Sequence, residues 1–251
     1  MLELNNISFS YPSGTNVIKK LSLSVASGES VGLVGCNGAG KSTLLSLICG
    51  LNFVDQGEII VNNIAVKKET LPEIRKAVGM VFQNPDDQLF MPNILEDVMF
   101  GPCNYGLNPD LAREKAEKAL DAMSIPDLAE RPPYRLSGGE RRSAAIATVM
   151  VMEPSLILLD EPTAFLDPRS VKNFEAMVNK LDIAYLIASH DLDLILNTCR
   201  RVIIMDNGSI VADGEPELLL KDEKLLFEAG LELPASFYRC KTCMHQYKKQ
   251  S

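Results

Sequence analysis

Nine consecutive residues, Gly35-Cys36-Asn37-Gly38-Ala39-Gly40-Lys41-Ser42-Thr43, have the G-x-x-x-x-G-K-[ST] spacing of a phosphate-binding loop. Glycines let the backbone turn without a Cβ in the way, so successive N–H groups can converge on phosphate oxygens. Lys41 adds a point charge, and Ser42 supplies a hydroxyl for Mg²⁺ at the opening of a helix whose N-terminal dipole favours the same anion. A nucleotide site is the chemistry this stretch implies. A second set lies far along the chain. Asp160 and Glu161 end the apolar run Leu156-Ile157-Leu158-Leu159, which offers one carboxylate to a Mg²⁺ shell and a second to polarise water. His190 closes another apolar run, Ala184 to Ser189.

The elements that must hold these groups can be read from periodicity. Ser30 to Val34 is a short buried strand leading into the loop, and Leu44, Leu45, Leu47 and Ile48 give an apolar helix that stops at Gly50. Residues 3–10 and 17–25 alternate apolar and polar around Pro12-Ser13-Gly14, an antiparallel pair with Tyr11 at its turn. Asn62-Asn63 and Asn207-Gly208 sit between apolar runs as hairpin turns. Residues 78–82 form a strand running into Gln83. From Asn84 to Glu153 the pattern is helical. Asn108 caps a helix with Pro109 at its first position and Leu111, Ala112, Ala116, Ala119, Leu120 and Met123 as its buried stripe. After the breaks at Pro126, Pro132 and Pro133, another helix follows Leu136-Ser137-Gly138-Gly139. Asp167-Pro168 begins a further one, and residues 216–229 suggest one or two short helices.

Composition narrows the class. With 251 residues and 46% apolar content the chain can bury a sizeable core, and its net charge of −8 argues against nucleic acid as the main partner. The longest apolar run, Ala144 to Met152, falls far short of the roughly 20 residues a membrane span needs. No leader precedes Leu2-Glu3-Leu4, which places the protein in the cytosol, any membrane contact being made through another chain. Six cysteines show no framework spacing and are expected as free thiols. Cys240-x-x-Cys243 with nearby His245 is half of a zinc pattern without a second ligand pair, so it reads as a loose tail.

Taken together, the sequence from Met1 to about Gly214 resembles the ATP-binding subunits of ABC transporters. The resemblance rests on six motifs in order: the loop at 35–43, Gln83, Leu136-Ser137-Gly138-Gly139-Glu140, Leu156 to Pro162, Phe165-Leu166-Asp167, and His190. It implies an α/β fold, a P-loop NTPase core with a mainly parallel sheet, an antiparallel β subdomain, and a helical subdomain of about residues 88–153 carrying the signature. Residues 1–214 would form the ATP-binding domain and 215–251 a C-terminal extension. The implied cofactors are ATP and Mg²⁺. Tyr11 stacks on adenine, residues 35–43 cradle the phosphates, and Ser137, Gly138 and Gly139 close on the nucleotide of a second subunit, the same chain or a paralogue. Ser42, Gln83 and Asp160 form the metal shell, Glu161 is the base or water-orienting carboxylate, and His190 contacts the γ-phosphate. Gln83 also links that shell to a transmembrane subunit, with the chain peripheral on the cytoplasmic face of the membrane.

Val81 to Phe90 and Glu96 to Pro102 resemble the energy-coupling-factor importers of cobalt, nickel and vitamins. Three departures from the family pattern stand out: Glu140 in place of a glutamine, Ser143 in place of an arginine, and Phe165 in place of a small residue. Whether Arg141 or Arg142 substitutes for the missing arginine is open at this point. Soluble ABC ATPases of translation or DNA repair carry tandem cassettes or a coiled-coil insertion, and neither is present. A binding-only subunit would not need Lys41, Asp160, Glu161 and His190 together.

Overall fold

The computed structural model describes residues 1–238. Cys240, Cys243 and His245 lie outside the described residues.

Leu2–Ser10 (β1) pairs antiparallel with Asn16–Val25 (β2), with Leu4 opposite Leu23 and Leu2 opposite Val25. Ser30–Val34 (β3), buried at all five positions, runs into the glycine-rich loop and then Lys41–Ile48 (α1). Gln56–Val61 (β4) returns to the other edge of β1, and Ile64–Ala65 (β5) hairpins onto β4 through Asn62 and Asn63, both at positive φ as a tight hairpin turn requires. Leu71–Ala77 (α2) leads to Val78–Val81 (β6), which ends one residue before the expected Phe82.

Three helices follow: Ile94–Asn104 (α3), Pro109–Ala122 (α4) and Gly138–Met150 (α5). Asn108 caps α4 through Asp110 N, as its position before a proline predicts. Its buried stripe is Ala112, Ala116, Ala119 and Leu120. Leu111 departs from the expectation and is 52% exposed, because it falls one position off the repeat that faces α3 and α5. Met123 is half-buried at the helix end. Helix α3 has no separate signal beyond the general helical pattern; Asn93 caps it, and it tolerates Pro102 near its C-terminus.

Leu156–Asp160 (β7), Pro168–Val178 (α6), Ala184–Ala188 (β8), Leu192–Thr198 (α7), Arg201–Asp206 (β9) and Ser209–Gly214 (β10) complete the core. Pro216–Leu219 (α8) and Glu223–Glu228 (α9) are the two short helices expected after it. The first sheet has the order β2-β1-β4-β5, and the second β10-β9-β3-β8-β7-β6, parallel except for β10. Burial of β3, β7 and β8 along their whole length is what a parallel sheet covered on both faces demands.

Three apolar clusters follow from this layering. One joins the antiparallel sheet, α1 and one face of the parallel sheet. The other face packs against α5, α6, α7 and the C-terminal helices. A third holds α3, α4 and α5 together through Ile94, Leu95, Val98, Ala116, Leu120, Ala144 and Ala147. Among the described residues no helix is long and apolar enough to cross a membrane.

Candidate active site

The parallel order brings the ends of β3, β8 and β7 side by side, and the groups expected to do chemistry emerge from those three ends. In open parallel sheets this carboxyl edge is where ligands bind.

At β3 the loop is built so that only glycine fits in places. A Cβ on Gly35 would lie 2.4 Å from the Met205 carbonyl oxygen, and Gly38 and Gly40 have φ of 85° and 104°. Lys41 is buried, donating from Nζ to the Gly35 carbonyl at 2.7 Å and, more weakly, to Cys36 O at 3.4 Å. It thus folds back over its own loop, aimed into the space the loop encloses. Cys36 contributes its backbone carbonyl there, while its side chain packs beside Gly230 of the C-terminal segment. Asn37 is exposed, and Ala39 is buried with its N–H on Cys36 O. Tyr11 lies at the rim: its hydroxyl is 3.1 Å from Thr43 Oγ1, and its ring meets Phe9 edge-on. That leaves Tyr11 partly exposed beside the loop, the place a stacking aromatic requires.

At β7, Ser42 donates to Asp160 Oδ1 at 3.1 Å. Burial raises the Asp160 pKa; the Ser42 hydrogen bond opposes this, the Glu161 charge adds to it, and Lys41 and Arg142 oppose it further. A carboxylate and a hydroxyl in contact are hard oxygen donors of the kind Mg²⁺ takes alongside phosphate oxygens and water. A cation there would reverse the upward push on Asp160. Among the described residues no group of three or more His, Cys, Asp or Glu could hold a metal ion by itself.

Glu161 is buried and held at φ 42°, a left-handed conformation uncommon for a non-glycine residue. Such strain persists only where the surroundings over-determine it. Here the Glu161 N–H donates to Ala188 O, and its Oε2 accepts from Ser189 Oγ at 3.1 Å and His190 N at 3.4 Å, with His190 Nδ1 at 2.8 Å. Oε1 faces Lys41 Nζ at 4.0 Å. His190 is not a core histidine, since its side chain is mostly exposed. Ser189, fully buried, carries no motif of its own and is found only through this geometry.

The signature segment opens α5. Ser137 accepts from Glu140 N, and Glu140 reaches back to Ser137 N at 2.8 Å, a reciprocal capping box. The Ser137 N–H holds the Glu140 carboxyl below its usual range. Glutamic acid therefore does at this position what glutamine would do, with added charge at the helix N-terminus. Gly139 passes so close to α6 that a Cβ would sit 2.6 Å from Ser170 Oγ. Phe165 stands 91% exposed at φ 65° just before the Asp167 cap of α6.

The two arginines beside Ser143 have different surroundings. Arg141 lies at the surface and pairs with Asp86 at 3.2 Å. The acidic pair Asp86-Asp87, which lacks any basic neighbour in sequence, thus gains one from a helix 55 residues away. Arg142 is 2% exposed and donates to the carbonyls of Phe82 and Gln83. Burial lowers its pKa to about 10, with the Asp160 charge opposing. Gln83 itself is exposed. Beyond it, Leu89 is buried, whereas Phe90 and Phe100 are 62% and 45% exposed and stack edge-on at 5.0 Å. Asp97, also missed from sequence, accepts from Phe90 N and Met91 N and so shapes that loop.

The chain is similar to known ATP-binding proteins of ABC transporters. Residues 18–164 match the ABC transporter family model. A putative ABC transporter ATP-binding protein of Geobacter sulfurreducens is 41% identical over 243 residues, covering 97% of this chain and 98% of that protein. The energy-coupling factor transporter ATP-binding protein EcfA of Methanothermobacter thermautotrophicus is 40% identical, covering 93% and 77%. The solved structure of cbiO1 from Clostridium perfringens, part of the ABC transporter complex cbiONQ, superposes with a TM-score of 0.81 at 32% identity, covering 96% and 98%. The chain belongs to the ABC transporter family as one of its ATP-binding subunits, an ATPase.

Proposed function

We propose that this chain powers an energy-coupling-factor type importer, taking up cobalt, nickel or a vitamin, by hydrolysing ATP at the site built on β3, β7 and β8. The observation that carries hydrolysis is Glu161: one carboxylate oxygen is saturated by Ser189 and His190, and the other is left facing Lys41. A carboxylate so oriented can hold a water in line with a γ-phosphate bound at Lys41. Similarity to EcfA and cbiO1 along more than nine-tenths of the chain supports the importer class.

In this reading Lys41 exchanges its contact with Gly35 O for phosphate oxygens, and the N–H groups of residues 37–43 cradle the anion. Tyr11 stacks on the adenine. Ser42, Asp160 and Gln83 would hold Mg²⁺, which when bound neutralises charge developing on the phosphoryl oxygens. Glu161 orients the attacking water and takes its proton, and His190 contacts the γ-phosphate. Ser137, Gly138 and Gly139 form a second anion-binding helix N-terminus, so two subunits placed head to tail about a two-fold axis complete each other's sites. Asp86, Asp87, Phe90 and Phe100 form the surface that docks on a transmembrane subunit, holding the chain at the cytoplasmic face of the membrane.

The test is Glu161→Gln. ATP binding should persist and turnover fall by ~10² to 10⁴, because a positioned base acts on the transition state far more than on bound substrate. Turnover within twofold of wild type would remove Glu161 from the role. Purifying the chain with its membrane partners and assaying uptake identifies the cargo.

A further inference from the structure

The most deeply buried cation among the described residues lies outside the mechanism so far. Among the described residues Arg142 forms no carboxylate pair and its Nε has no partner; its guanidinium grips two successive carbonyls, Phe82 O at 2.6 Å and Gln83 O at 2.7 Å. Burying a charge against neutral acceptors is costly, and a fork that spans adjacent carbonyls fixes orientation as well as distance. The gripped segment has just left β6, and Gln83 and Asn84 are exposed.

The far end of the same segment is held by a second clasp. Gln88 accepts from Phe82 N at 3.2 Å and donates to Ala145 O and Thr148 Oγ1, both at 2.8 Å. Residues 142, 145 and 148 are spaced by three along α5, so all the anchors lie on one face of that helix. The same helix begins with the signature glycines. One helix thus joins Ser137-Gly138-Gly139 at its start to the backbone of Phe82 and Gln83.

We propose that Arg142 is a positioning residue for hydrolysis, fixing Gln83 to the signature helix so that closure of α5 on a partner's nucleotide and placement of Gln83 are one movement. This rests on the role given to Gln83 above. Arg142 touches neither phosphate nor metal in this scheme; it acts through the Gln83 backbone.

A double-mutant cycle on the full-length protein tests it, with kcat and KM for MgATP measured for wild type, Arg142→Met, Gln83→Ala and the double variant. Arg142→Met should lower kcat about tenfold with KM changed less than about threefold, since the phosphate loop is untouched. In the Gln83→Ala background the same change should cost nothing further. Arg142→Lys, able to reach one carbonyl but not both, should fall between. Losses that multiply in the double variant would overturn the proposal while leaving the role of Gln83 intact. Gln83→Ala at wild-type turnover would overturn both. Melting temperatures follow folding; should Arg142→Met not fold, Arg142→Lys replaces it in the cycle, and kcat at wild-type level in that variant counts against the proposal.

Discussion

Asp97 is buried with one oxygen used twice and the other not at all: Oδ1 accepts from Phe90 N and Met91 N, while Oδ2 has no partner among the described residues. Desolvation raises its pKa from the ordinary 3.8, partly offset by those two N–H groups. A carboxyl whose folded pKa is raised contributes stability that is fully present below about 4 and lost as pH climbs through the folded value. Asp97→Asn should therefore compare best with wild type at neutral pH and worst in acid. Asp97→Ala orphans two N–H groups and should cost about 1–3 kcal/mol for each that stays buried. Chemical denaturation of both variants at pH 5 and pH 7.5 checks the order, and an Asn variant that gains on wild type as pH falls would contradict the assignment.

At the scale of the element, α5 is the piece on which the site turns. A Cβ at Gly139 would meet Ser170 Oγ at 2.6 Å and Ser170 Cβ at 3.2 Å, and that hydroxyl is pinned by Asp167 at 2.6 Å. Gly139→Ala should thus destabilise by roughly 1–3 kcal/mol through overpacking, and adding Ser170→Gly should restore much of the loss. Thermal melts of the single and double variants decide it; an undiminished defect in the double would place the clash elsewhere. Elements like this one were legible in sequence because their signals are local. Leu136-Ser137-Gly138-Gly139 announces the helix that follows it, Asn207-Gly208 a hairpin, and the glycines of 35–40 a tight turn. Arg142 and Gln88 were not legible, since their partners lie some 60 residues away and nothing in the local pattern marks a side chain that will bind distant backbone. For the same reason the salt bridge from Arg141 to Asp86 could not be foreseen. Leu111 failed differently: it is apolar at nearly the right phase, and only the packing of α3 and α5 shows that it faces out.

For the whole molecule, the proposed docking face combines an exposed aromatic pair with two surface acids. Phe90→Ser with Phe100→Ser should sharply reduce co-purification of the membrane subunit while leaving ATPase activity of the free subunit within about twofold, because both rings are exposed and pack on each other. Asp86→Asn with Asp87→Asn should weaken assembly less, and the effect should shrink at high salt, where exposed charges are screened within ~8 Å or less. Part of that loss belongs to the pairing of Asp86 with Arg141, so Arg141→Gln serves as its control. Undiminished assembly in the aromatic double variant would remove this face from the interface.

The order β9-β3-β8 has a consequence for how the chain is made. Strand β3 is synthesised well before both neighbours that cover its edges, Ala184–Ala188 and Arg201–Asp206. Until they are made, this fully buried strand has two open edges and no ladder partner, while the antiparallel hairpins on either side of it can already close. Exposed strands of this kind are templates for mispairing, and they make nascent α/β chains dependent on chaperones. A stop anywhere before β9 should yield not a smaller nucleotide-binding fragment but an aggregate, because the phosphate loop has its scaffold only when β8 and β9 have returned to β3.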